Sequence, residues 1–184
     1  MPRLTTALFP GDIVLVRSET RFGWLIRQFT RTFGEKRSKV NHAAIMVNAS
    51  DVIEVGQRTI KRNLQRHYAG TANAIAVYRW KGLTVNQRIT IAEKAMSYLG
   101  AEYGWWKIVA HGIDRMIGGP YLFRRLARQD RYPICSWMVA WSYAAIGKDF
   151  GVSAKAADPD HIWDYCVEGE TKGQFLEIFA LGRL

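Results

Sequence analysis

The residue with the clearest chemical potential is Cys135, in the stretch Tyr132-Pro133-Ile134-Cys135-Ser136-Trp137-Met138-Val139-Ala140-Trp141-Ser142-Tyr143. Proline suits the first turn of a helix, where its missing N–H has no partner to lose. Ile134, Met138, Trp141 and Ala145 then recur at helical spacing, and Gly147 reads as the stop. The pattern puts Cys135 in the first turn of a mostly buried helix. There unpaired amides and the helix dipole favour the thiolate, which is the nucleophilic form. A buried cysteine also serves simply as core filler, and the stretch alone leaves that alternative open.

A thiol hydrolase needs a base for the sulfur and a polar group to orient that base. Four histidines are available: His42, His67, His111 and His161. His42 opens the apolar run His42-Ala43-Ala44-Ile45-Met46-Val47, a rigid strand position from which an imidazole can face another element. His67 and His111 fall on predicted helices, and His161 follows the Asp158-Pro159 turn. In the next strand Glu54 stands between Ile53 and Val55, where a carboxylate needs either a partner or solvent. Pairing Val47 with Val52 across a four-residue loop sets Glu54 opposite Ile45 and Gln57 opposite His42. That register turns Glu54 away from the histidine and makes Gln57 the rival orienter, unless a bulge or another loop length reverses it.

The elements that must hold these groups follow from periodicity and turn chemistry. Ile13–Val16, His42–Val47, Val52–Val55, Ala74–Arg79 and Phe175–Phe179 read as strands, with Arg58-Thr59-Ile60 continuing the third after a kink. Arg21–Phe33 has Phe22, Leu25, Ile26, Phe29 and Phe33 at helical spacing among arginines. Thr84 and Gln87 form a capping box for a helix running to Tyr98 and stopped by Gly100. Further helices are predicted over Trp105–Ile117 and from the Asp158-Pro159 cap through Tyr165, with a basic segment at Tyr121–Arg131. No repeat or linker divides the chain, so residues 1–184 are expected to form one α+β domain with a mostly antiparallel sheet.

Composition narrows the functional classes. At 48% hydrophobic and 23% charged, the chain is neither disordered nor fibrous. No apolar run reaches the roughly 18 to 20 residues of a membrane span, and the first ten residues lack a signal-peptide pattern. Synthesis in the cytoplasm, with later delivery to an envelope or a virion, is the corresponding expectation. Two cysteines and no C-x-x-C pair argue against a disulfide framework or a zinc site, and no cofactor is expected. The net charge of +10 favours anionic partners such as an envelope polymer or a membrane surface. Nucleic acid fits the charge, but no recognition motif accompanies it.

Taken in order, five strings resemble a known group. Gly11-Asp12-Ile13-Val14-Leu15-Val16, Asn41–Val47 and Val52–Val55 resemble the sheet of NlpC-type cysteine peptidases. Leu99–Trp106 is similar to their Gly-x-x-Tyr segment, and Pro133–Trp141 to their Cys-Ser-x-x-Val helix. The cysteine follows the histidine here, the order of the circularly permuted branch of the papain-like fold. The resemblance implies a permuted papain-like domain with Cys135 as nucleophile, His42 as base and Glu54 as third polar residue, favouring Glu54 over Gln57. It places Tyr103 in the substrate cleft.

The implied activity is cleavage of amide bonds through a thioester, with bacterial cell-wall peptides as substrate. A lipid-directed acyltransferase or esterase is the alternative, suggested by Arg21–Phe33 and Trp105-Trp106. An idle binding module, for instance in a phage tail, is another.

Overall fold

The structure is a computed structural model describing residues 7–18, 39–68, 71–102 and 134–182. In chain order its elements are β1 (Ile13–Arg17), β2 (His42–Met46), β3 (Asp51–Val55), β4 (Thr59–Asn63), α1 (Leu64–Tyr68), β5 (Ala74–Trp80), α2 (Val85–Met96), α3 (Cys135–Ala144), α4 (Pro159–Thr171) and β6 (Phe175–Leu181). The six strands form one sheet in the order β4-β3-β2-β1-β5-β6, every neighbouring pair antiparallel. An α+β architecture with an antiparallel sheet is therefore what the chain adopts.

Side chains alternate across the sheet and both faces are covered. Ile13, Leu15, Ala43, Ile45, Ile53, Val55, Ala76 and Tyr78 share a core with residues of α2, α3 and α4. Val14, Val16, Ala44, Met46, Val52, Ile75 and Val77 form a second core with Leu8, Leu64 and Tyr68. This is why β1 reads as an unbroken apolar run rather than an alternating one. Around Trp80 the first core ends in a cluster of rings, stacked from Tyr143, edge-on from Phe150 and tilted from Tyr165 and Phe175.

Local chemistry sets the helix ends. Thr84 and Gln87 make a reciprocal capping box on α2, and the Asp158 side chain accepts from the His161 N–H at the start of α4. Gly147, at φ +71°, closes the turn after α3. Among the described residues no helix is long and apolar enough to cross a membrane.

Three expectations need correction. β4 does not prolong β3: the chain reverses at Gly56-Gln57-Arg58, and Val55 pairs with Thr59. The small glycine and two exposed polar residues make a turn rather than a kink. The helix begun at Pro159 does not stop at Tyr165 but runs to Thr171, because Cys166 and Gly169 continue its buried stripe. Helix α3 buries Cys135 through Ala140 on every side, not one stripe, as suits a helix apolar all round. The stretches Arg21–Phe33, Trp105–Ile117 and Tyr121–Arg131 lie outside the described residues.

Candidate active site

His42 is fixed by the residue before it. Asn41, buried to 1% exposure, accepts from the Ser18 N–H at 2.9 Å and donates to the Ser18 carbonyl at 2.8 Å, while its own N–H bonds Val16 at 3.0 Å. This clamp joins the end of β1 to the start of β2. The Lys39 N–H donates to Asp160 at 2.7 Å, which ties the same approach to the first turn of α4. The imidazole thus projects from a backbone held on both sides.

Glu54 reaches His42 because the hairpin loop is one residue shorter than simple counting gives. The Asn48 side-chain oxygen accepts from the N–H groups of Ser50 and Asp51 at 2.8 and 2.7 Å, closing an Asx-type turn. Asp51 consequently enters β3, its carbonyl bonding the Val47 N–H at 2.9 Å. Glu54 then stands opposite Ala44, on the same sheet face as His42 two positions earlier. The register counted from sequence is corrected by this single residue, and Gln57 is left exposed in the turn beyond β3.

The carboxylate has four partners. Its Oε2 lies 3.4 Å from Nε2 of His42 and accepts from the Tyr68 hydroxyl at 2.7 Å. Its Oε1 is paired with Nε of Arg62 at 2.6 Å and lies 3.4 Å from Nε2 of His67. Arg62 arrives from β4, where it stands opposite Val52 and so shares the face of Glu54. Burial alone pushes the Glu54 carboxyl up, but the hydrogen bond and charge of His42, the Tyr68 hydroxyl and His67 outweigh it and bring it down to about 2.

Cys135 is the first residue of α3 and 4% exposed. Ile134 caps the helix without a side-chain hydrogen bond, so the first-turn amides stay available. The Ser136 hydroxyl donates to the Ala157 carbonyl at 2.9 Å and anchors this end of the helix to the segment before α4. The sulfur is within hydrogen-bonding reach of the His42 ring and takes the backbone N–H groups of Ala43 and Ser136. With Nε2 turned to Glu54, Nδ1 is the ring nitrogen left for the thiol. Burial works against the thiolate, yet the imidazole and the two amides lower the thiol below its ordinary value. Burial likewise works against the imidazolium, and Cys135 and Glu54 override it and raise His42 to about 10. Each of the two groups therefore favours the charged form of the other. Cys166, buried in α4, is pushed the other way by burial and Glu170, leaving an inert thiol.

The structure brings Cys135, His42 and Glu54 together, although the cysteine follows the histidine by about ninety positions. Tyr103 and His111 lie outside the described residues, and His161 bonds the Phe150 carbonyl at 3.0 Å through Nε2. Arg62, His67 and Tyr68 were missed as partners of Glu54. The signal was the run Lys61–Tyr68 itself, which reads as a solvated basic face until the β3–β4 reversal folds it over Glu54. An open groove of about 620 Å³ at the far end of α3, lined by Trp141, Lys148, Phe150 and Lys155, contains none of the site residues.

No family model matches the chain, and no curated protein does. Among solved structures it is similar to the metalloprotein yiiX from Escherichia coli O157:H7, described as DUF1105. The TM-score is 0.56 at 22% identity, over 78% of this chain and 69% of that one, which establishes likeness of fold. The expected membership of the NlpC-type cysteine peptidases is corrected by this match to a DUF1105 metalloprotein. The strings that suggested it are a strand opening, a Gly-x-x-Tyr segment and a helix start. Each is too short to specify a lineage.

Proposed function

We propose that the chain is a cysteine hydrolase that cleaves amide bonds, with bacterial cell-wall peptides as its substrate class. The observation that carries this reading is the meeting of the Cys135 sulfur, the His42 imidazole and the buried Glu54 carboxylate across α3, β2 and β3. A thiol depressed and an imidazole raised by one another is the arrangement an attacking sulfur requires. The layout, a helix tip against a sheet that supplies the base, is also that of papain-like thiol hydrolases, and it supports the chemistry as a layout without implying kinship. The wall substrate is supported by the net charge of +10, which suits an anionic envelope.

In the proposed reaction the thiolate attacks the carbonyl carbon, forming the C–S bond and an oxyanion met by backbone N–H groups at the helix tip. The His42 imidazolium gives its proton to the leaving nitrogen as the C–N bond breaks, producing a thioester. Neutral His42 then takes a proton from water, whose oxygen attacks the thioester. The C–S bond breaks, the acid leaves, and thiolate and imidazolium are restored. Glu54 holds the ring and offsets its charge throughout.

The similar fold is that of a metalloprotein. Among the described residues no group of three or more His, Cys, Asp or Glu side chains is disposed to hold one. The Glu54 oxygens are already taken by a guanidinium at 2.6 Å and a phenol at 2.7 Å. The described residues of the site do not fit a metal ion.

The test is mass spectrometry of products after incubation with defined wall peptides and, in parallel, with phospholipids. Release of amine or peptide that disappears in Cys135→Ala is expected. Fatty-acid release alone would replace the reading with a lipid-directed acyltransferase or esterase, and no product from either would leave a binding module.

A further inference from the structure

Glu54 divides its two oxygens between two sets of partners. Oε1 faces Arg62 and His67 on the more open side, while Oε2 faces His42 and Tyr68. Arg62 engages through Nε, and its side chain is 43% exposed. A guanidinium is a fork, and its natural engagement with a carboxylate uses both oxygens in parallel. Arg62 does not take the second oxygen: its Nη1 is turned to Nδ1 of His67 at 3.4 Å, and the Tyr68 hydroxyl donates to Oε2 at 2.7 Å.

We propose that Tyr68 is a positioning residue: its hydroxyl keeps Oε2 of Glu54 turned to His42 and out of the grip of Arg62. The inference rests on the reading of Cys135 and His42 as the reacting pair and adds the group that keeps their third member in place. Tyr68 suits the task. Its ring is 6% exposed, packed in the second core with Leu64, and its edge-on contact with His67 has ring centroids 4.6 Å apart. The short helix α1 follows β4 directly, so donor and competitor come from one continuous segment. The charged and titratable groups around the carboxylate are then His42 from β2, Arg62 from β4, His67 and Tyr68 from α1, and Cys135 from α3.

The experiment is a titration of the His42 ring by NMR in a Cys135→Ala background, where the sulfur no longer contributes and the ring reports on Glu54. Adding Tyr68→Phe keeps the ring packing but removes the hydroxyl. The expected result is a fall of about one unit in the His42 midpoint, the scale of one lost carboxylate contact. Adding Arg62→Gln to that variant removes the competitor and restores the midpoint. Arg62→Gln without the tyrosine change, safe for folding at a half-exposed position, raises the midpoint. An unchanged midpoint in Tyr68→Phe, no restoration in the double variant, or a fall in Arg62→Gln alone would each overturn the proposal. A merely structural Tyr68 would lower the melting temperature and leave all three midpoints where they were. Because the background lacks the thiol, this outcome is independent of the hydrolase reading, which stands or falls with the reactivity of Cys135 in the native protein.

Discussion

At the scale of single residues, the site works by opposed pulls on three groups. Burial disfavours the charge on Cys135, on His42 and on Glu54 alike, and their contacts with one another and with neighbouring donors outweigh it. Removing one member should therefore shift the others. In His42→Ala the sulfur keeps two amides but loses its cation, so at pH 6 its alkylation by iodoacetamide should fall by about 10- to 100-fold. Cys166 provides the internal control, since burial keeps it protonated and its labelling should be slow in both proteins. Peptide mapping after labelling checks both statements. Cys135 and His42 were readable from sequence as candidates because one sits beside a helix-start signal and the other opens a strand. The third group was not readable by counting, since Asn48 draws Asp51 into the strand through its side chain and moves Glu54 to the opposite face. Family resemblance favoured Glu54 even though the lineage it suggested does not hold.

At the scale of elements, strands and capped helices were the most legible, because Thr84, Asp158 and the β-branched runs each signal locally. The α4 boundary was less so, since what extends it is a distant contact. Gly169 faces the ring of Phe175, and a Cβ built there would approach that ring at 2.5 Å. Phe175 is fully buried among the aromatic residues around Trp80 and has nowhere to move. Gly169→Ala should accordingly destabilise the protein by about 1–3 kcal/mol by overpacking, although alanine is intrinsically the better helix former by about 1 kcal/mol. Chemical denaturation with an unchanged slope checks it. A stabilised variant would show that α4 and β6 are less tightly joined than their contact implies.

For the whole molecule, the same ionised groups link the site to stability. Glu54 is lowered from 4.5 to about 2, so its contribution is complete above pH 4.5 and lost as pH falls through about 2. His42 is raised from 6.5 to about 10, so its contribution is complete below pH 6.5 and lost as pH rises through about 10. Glu54→Gln should cost about 1–3 kcal/mol at pH 6, with the gap from the native protein closing toward pH 2 in thermal unfolding. A gap that persists at pH 2 would mean that packing, not charge, is what the substitution disturbs. A separate buried carboxylate, Asp12, is clasped by Arg79 at 2.6 and 2.8 Å and ties the segment entering β1 to β5. It belongs to the scaffold. The central claim is that α3 and the sheet hold the Cys135 sulfur as an anion, and it is tested most directly by the pH dependence of its alkylation rate in the native protein. The account predicts a rate that reaches its plateau below the roughly 8.5 at which an ordinary cysteine titrates. A rate that climbs tenfold per unit up to pH 8, as for a free thiol, would contradict it.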